Sequence, residues 1–296
     1  METLFTLPET NFNFGGDEYI YAEISRDMRV ESNFKALAIT AELRKRNIPG
    51  ITDIASSNAS YLVRYNPDII SARDLLDYLR EIDLTKSDPK ELNLSVRMVE
   101  IPIWYDDPIT RDYSERFKNR HDSPKETNFE YVMRVNGFKS KEAFIERHSC
   151  TPYLITMVGF LPGTAWHFPL GIQPKEMIQS PKYASPRTDT PARSIGIGGV
   201  FNVIYPVNGP GSYQLIGMSA VPVVDHEKFL PELESYFLAR AGDIWKYRSI
   251  DEFEYMRIRE EVEAGTYKYR MKNIDLSPLE YAEKGNEYIR ELTGDF

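Results

Sequence analysis

The chain has 296 residues, of which 42% are hydrophobic and 27% charged, with a formal net charge of −9. That length suits two domains, each able to bury a core, and the balance is that of an ordinary globular protein. The negative charge speaks against a nucleic-acid groove or an anionic membrane surface, and no stretch approaches the roughly 18 apolar residues of a spanning helix.

Residues 1–97 read as a small α/β domain. After the turn Gly15-Gly16-Asp17, apolar and polar residues alternate from Glu18 to Ile24 as in a half-buried strand. Ser32 is placed to cap a helix through about Arg46, stopped by Asn47 and Pro49. Gly50 to Ile54 and Ser60 to Tyr65 read as paired strands, Ser71 caps a second helix to about Ile82, and Ser95 to Ile101 is the next strand. This order predicts a ferredoxin-like sandwich, with Asp83 to Glu91 as a loop.

Residues 98–226 form the expected second domain. Short helices are predicted within Arg111–Arg120, Glu126–Asn136 and Ser140–His148, the last two separated by Gly137. From Tyr153 the texture changes. Strand-like runs at Tyr153–Val158, Gly199–Tyr205, Tyr213–Met218 and Val221–Val224 alternate with Gly- and Pro-rich segments, the pattern of a compact β-barrel. Residues 227–296 read as a charged, helical C-terminal extension, clearest at Glu252–Glu263 and stopped by Gly265. The expected class is therefore α+β.

Familiar catalytic devices are missing from the sequence. Cys150 is the only cysteine, so an intrachain disulfide is excluded. His121, His148, His167 and His226 lack metal-ligand spacing, so no metal is expected. There is no phosphate-binding Gly-x-x-x-x-Gly-Lys loop, no Gly-x-Ser-x-Gly elbow and no biotin-attachment Met-Lys-Met. Met1–Pro8 shows no basic segment leading into an apolar run, which makes cytoplasm the expectation.

The β-rich region carries a specific pattern. Gly159-Phe160-Leu161-Pro162-Gly163-Thr164-Ala165-Trp166-His167-Phe168-Pro169-Leu170 is followed by Lys182-Tyr183 to Pro191, Ser194 to Gly199, Ile204-Tyr205-Pro206 and Gly209 to Gly217. In order and spacing these segments resemble the allophanate hydrolase subunit 1 family, which includes the B component of 5-oxoprolinase and sporulation kinase inhibitor homologues. Lys182-Tyr183 with Pro186-Arg187-Thr188, and Asn128-Phe129-Glu130-Tyr131 with Asn136-Gly137, look like the carboxyltransferase domain of urea carboxylase. Thr127 and Met218-Ser219 depart from that pattern, and Trp104 to Pro108 replaces a segment typical of the 5-oxoprolinase component.

The resemblance implies an α/β N-terminal domain followed by a cyclophilin-like barrel, paired with a homologous second carboxyltransferase subunit. It implies a biotin-dependent carboxylase in which carboxybiotin is carried on another chain, alongside biotin carboxylase and biotin carrier chains, with a small amide as acceptor. Under this reading Arg187, Thr188, Gln214 and Asn128 are the catalytic candidates, Arg187 holding a carboxylate or carbonyl oxygen through its planar fork. Gly196, Gly198 and Gly199 would let backbone approach the cofactor ring, with Tyr213, Lys182 and His167 also cofactor-binding. The Gly-x-Gly-Gly run equally suits a turn or bulge. Tyr213 and Gln214, adjacent on a strand, face opposite ways, so one of them at most meets the cavity. The alternatives are a component of an ATP-dependent 5-oxoprolinase-type lactam hydrolase and a kinase-inhibitor homologue.

Overall fold

The structure, a computed structural model, describes residues 7–86, 88, 90, 92–227, 230, 233 and 235–296. The chain divides into two compact units. One comprises the residues up to Val96 with Asn273–Asp295, the other Arg97–Lys272 with Phe296. Residues 227–272 thus lie in the second unit.

The first unit is built on a four-stranded antiparallel sheet from β1 (Asn11–Gly15), β2 (Tyr19–Glu23), β3 (Ile51–Ser57) and β4 (Ser60–Tyr65), in the order β1-β2-β4-β3. Alternation buries Ile20 and Ala22 on β2 and Tyr61, Val63 and Tyr65 on β4, against helices α1 (Val30–Arg46) and α2 (Ala72–Thr85). Ser71 caps α2 by accepting from the Asp74 N–H, as expected. Ser32 does not cap α1: the cap position is Arg29, and Ser32 is buried within the helix. The loop expected from Asp83 begins later, because α2 continues to Thr85; Ser87, Pro89 and Glu91 lie outside the described residues. Deep in this unit Lys35 of α1 donates to Asp83 of α2 at 2.9 Å, and Thr10 donates to the same carboxylate at 2.6 Å.

The ferredoxin-like expectation fails at one strand. The place beside β2 that Ser95–Ile101 was to fill belongs to β1, from an N-terminal hairpin. Ser95–Ile101 is instead part of β5 (Leu94–Tyr105), a strand of the second sheet.

That sheet also contains β6 (Pro152–Val158), β7 (Ala165–Pro169), β8 (Ser194–Gly198), β9 (Phe201–Ile204), β10 (Gln214–Ser219), β11 (Ile244–Ile250) and β12 (Met271–Leu276). The order is β10-β8-β9-β7-β6-β11-β5-β12, and pairing of β10 with β5 closes seven of these strands into a barrel. β8 and β10 are buried at every position, since the barrel interior covers one face and other elements the second. Helices α3 (Pro108–Arg116) and α4 (Asn128–Val135) pack on β10, and α5 (Lys141–Cys150) packs on β11. Val221–Val224 is not a strand; Val224 makes only an isolated bridge to Phe237.

The extension expected to be helical contributes β11, which lies parallel to β5 and antiparallel to β6. Burial alternates only from Trp245 to Arg248, and the strand is otherwise held by Ile244 and Ile250, buried at its two ends, while Lys246, Arg248 and Ser249 carry the polar character. The expected helix appears as α6 (Glu252–Glu263), followed by α7 (Pro278–Lys284) and α8 (Asn286–Thr293). No helix among the described residues is long and apolar enough to cross a membrane.

Candidate functional site

A cavity of about 270 Å³ opens on the outer side of β7, β9 and β10. Three aromatic residues give it walls: Trp166 of β7, Tyr205 just after β9 and Tyr213 just before β10, with Val203 between them. Trp166 reaches the cavity because side chains alternate along β7. Its neighbour His167 points into the barrel, where it is fully buried and hydrogen-bonded through Nδ1 to the Tyr247 hydroxyl. The rim is formed by Phe160, Leu161 and Thr164 on one side and by Lys182, Pro186 and the Pro210–Ser212 segment on the other.

Glycines set the positions of the aromatic walls. A Cβ on Gly198 would lie 2.5 Å from the Tyr213 ring, and one on Gly196 would lie 2.9 Å from the Tyr213 Cβ. A Cβ on Gly211 would lie 2.4 Å from the Tyr205 hydroxyl. These glycines are required by packing, and neither Gly196 nor Gly198 lines the cavity. Gly199 has φ +60° and turns the chain between β8 and β9.

The open surface of the cavity is chiefly apolar, and three donors of its lining residues, Thr164 Oγ1, Trp166 Nε1 and Tyr213 Oη, are buried in the walls without a partner among the described residues. Burial raises the Tyr213 phenol well above its ordinary value, so its proton remains available to donate. Lys182 holds its ammonium 5.2 Å from the centre of the Tyr213 ring, at the mouth. Behind the wall lies Arg187, fully buried over the Tyr183 ring at 4.8 Å. Its Nε donates to Thr190 Oγ1 at 3.2 Å and its Nη2 to the Tyr205 hydroxyl at 3.5 Å, while Nη1 has no partner among the described residues. Among the described residues no carboxylate pairs with it. Indole N–H, ammonium and guanidinium are donors only, and hydroxyls add more. Trp166 and Tyr213 meet edge-to-face, with ring centroids 6.2 Å apart and planes at 87°, so a flat group can lie against one ring and turn its edge, with any carbonyl or carboxylate oxygen, toward the donors.

Of the residues expected from sequence to form the site, the structure brings Tyr213 and Lys182 to the cavity. Gln214 points the other way, accepting from or donating to nothing in the cavity: its Oε1 meets His121 Nε2 at 2.9 Å and its Nε2 donates to the Pro181 carbonyl at 3.0 Å. Asn128 is buried, donating to the Tyr183 hydroxyl at 2.6 Å and accepting from Leu215 N–H at 3.0 Å. Thr188 is exposed and outside the cavity lining, and Arg187 stands one layer behind it. Phe160, Thr164, Trp166 and Tyr205 were not singled out by the sequence reading. All four stand in the segments that carried the resemblance, and the clue for Trp166 was its place beside His167 in an alternating strand. No cluster of metal-ligating side chains occurs among the described residues.

Comparison with known proteins agrees with this architecture. The profile of the carboxyltransferase domain, subdomain C and D, matches residues 10–233. The urea amidolyase of Saccharomyces cerevisiae is 22% identical over 292 residues, which is 97% of this chain and 15% of that protein. The B component of 5-oxoprolinase from Bacillus subtilis is 28% identical over 260 residues, covering 83% of this chain and 95% of that protein. Among solved structures, the urea amidolyase of K. lactis superposes with a TM-score of 0.81 at 21% identity, over 99% of this chain and 18% of that one. The chain therefore spans less than a fifth of the length of the amidolyases it matches. With the profile match extending over most of its residues, the chain belongs to the family of carboxyltransferase domains, subdomains C and D.

Proposed function

We propose that the chain is one half of the carboxyltransferase module of a biotin-dependent carboxylase acting on urea or a related amide, inactive without its partner subunit. The observation that carries this reading is an apolar cavity with aromatic walls in which three unpaired donors, of Thr164, Trp166 and Tyr213, are buried just beneath the surface. A ureido ring presents one carbonyl oxygen and two flat faces, so these residues fit carboxybiotin. That cofactor, carried on another chain, supplies an activated carboxyl group. This chain's contribution is to hold and orient: Trp166 Nε1–H and the Tyr213 and Thr164 hydroxyls donate to the carbonyl oxygen, and the apolar walls exclude water. Lys182 and the Arg187–Tyr205 pair provide positive potential for a carboxylate and for the amide oxygen of the acceptor. The acceptor nitrogen is set in line by the partner half, with biotin carboxylase and biotin carrier chains completing the assembly. The alignment of the whole chain to a segment within a much longer urea amidolyase supports this organisation.

A second reading, a component of an ATP-dependent lactam hydrolase, is favoured by the match over 95% of the length of a 5-oxoprolinase component. The same donors suit a lactam carbonyl. Isolation of this chain from its native lysate distinguishes the two. Co-purification of a homologous half with a biotinylated chain, and loss of carboxyl label from that chain on adding urea, guanidine or a simple amide, is the expected result. Recovery of a lactam-cleaving partner without any biotinylated chain would overturn the carboxyltransferase reading.

A further inference from the structure

We infer that Phe160 is the cover of this cavity: its ring closes face-on over a bound flat group and makes the site selective for planar ligands. The inference rests on the cavity being the ligand site of the proposed function, and it assigns to Phe160 a specificity role at that site.

Phe160 stands on the rim with 76% of its surface exposed. Its φ is +79°, in the left-handed region that bulky side chains avoid. A residue held there stores strain, and an exposed phenyl group does not offset that strain by burial. Among the described residues its ring has no aromatic partner. No contact among the described residues accounts for keeping a phenylalanine in this place.

The turn that carries it is nevertheless fixed. Gly159 N–H donates to the Thr164 carbonyl at 2.9 Å, and Thr164 N–H donates to the Leu161 carbonyl at 3.0 Å. Gly163 has φ +83°, and a Cβ there would lie 2.1 Å from Val224 Cγ2. The turn is therefore seated closely against the unit at Gly163, and it places Phe160 in the lining beside Trp166, Tyr205 and Tyr213 with its exposed ring able to swing about the side-chain bonds. Trp166 and Tyr213 meet edge-to-face, so a planar group lies flat on one of these rings with the Phe160 ring over its other face, whereas a puckered ring meets both at only a few atoms.

The test separates a cover from a structural residue by asking for stability and binding to move in opposite directions. Full-length protein and its Phe160→Gly and Phe160→Tyr variants are titrated with biotin amide, 2-imidazolidone and, as a puckered ring of similar size, cyclopentanol. Thermal unfolding is measured on the same samples. Glycine adopts the φ at this position freely, so Phe160→Gly is expected to unfold at the same or a higher temperature. Its binding of the flat probes is expected to weaken about three- to tenfold, with Phe160→Tyr close to the parent. Undiminished binding by Phe160→Gly, or a fall in its unfolding temperature matching the loss in binding, would overturn the inference. So would a parent protein that binds no flat probe or binds cyclopentanol equally well. A parent that binds 2-imidazolidone through Phe160 but not biotin amide retains the cover and removes biotin from the proposed function.

Discussion

Gly198 lies so close beneath Tyr213 that a Cβ on the glycine would come within 2.5 Å of two carbons of the ring. The contact joins the end of β8 to the residue just before β10 and fixes the tilt of one wall of the cavity. Gly198→Ala must therefore displace the Tyr213 ring or spread β8 from the segment before β10. Overpacking of this kind costs about 1–3 kcal/mol. The expected outcome is a lower denaturation midpoint together with altered binding of 2-imidazolidone. An alanine variant with parental stability and parental binding would show that the ring is not held by this contact.

Tyr213 itself separates packing from chemistry. Its hydroxyl is buried and has no partner among the described residues, so Tyr213→Phe deletes no hydrogen bond seen in the structure. Removing an unpaired buried polar group is neutral or stabilising by up to about 1–3 kcal/mol. If the hydroxyl donates to a ligand carbonyl, the same change weakens binding about tenfold, since a lost hydrogen bond of about 1.4 kcal/mol corresponds to that factor. Calorimetric titration beside a denaturant series reads both. Loss of stability in Tyr213→Phe would mean that the hydroxyl is bound within the protein after all.

Asn128 shows the reverse behaviour. Its carboxamide accepts from Leu215 N–H at 3.0 Å and donates to the Tyr183 hydroxyl at 2.6 Å, tying α4 to β10. Asn128→Ala leaves the buried Leu215 N–H unsatisfied and is expected to lower stability by about 1–3 kcal/mol. Any fall in binding should follow that loss and vanish when variant and parent are compared well below their unfolding temperatures. A binding defect in a fully folded Asn128→Ala protein would return this residue to the site.

These cases show what the sequence could disclose. Local patterns were legible: the Ser71 cap, the alternation along β2 and the break at Asn47 each depend on neighbouring residues, and each stands in the structure. Partnerships across long separations were not. Ser95–Ile101 reads as a strand in either sheet, because its own residues do not encode that Ile101 pairs with Tyr247. Strand β11 was hidden by the charged residues around it, although Trp245 and Tyr247 had the right spacing. At the site, the segments bearing the family resemblance did surround the cavity. Which members face it is decided by strand phase, and phase placed Trp166 there and His167 in the barrel.

The barrel interior gives the protein a pH dependence with a definite sign. His148 and His167 are fully buried, the first bonded through Nδ1 to the Tyr105 hydroxyl at 2.8 Å, the second to that of Tyr247. Burial lowers both to about 3, with the proximity of His148 adding to the effect on His167. In the unfolded chain each titrates near 6.5, so between these values the unfolded state binds two more protons than the folded one. The stability they confer is complete above pH 6.5 and is lost as pH falls toward 3, at about 1.4 kcal/mol per pH unit for each histidine. Asp107 and Asp243, raised by burial, act in the opposite sense as pH falls, so the histidine contribution is best isolated by difference. Urea unfolding of the parent between pH 7 and 5 should lose stability more steeply than that of His167→Phe, which removes one of the two groups. The variant begins from a lower value because Tyr247 loses its partner, but its slope is shallower by about 1.4 kcal/mol per pH unit over the lower part of that range. Parallel slopes would mean that His167 is protonated in the folded barrel or reached by water, and the idea of an enclosed polar core would have to be abandoned.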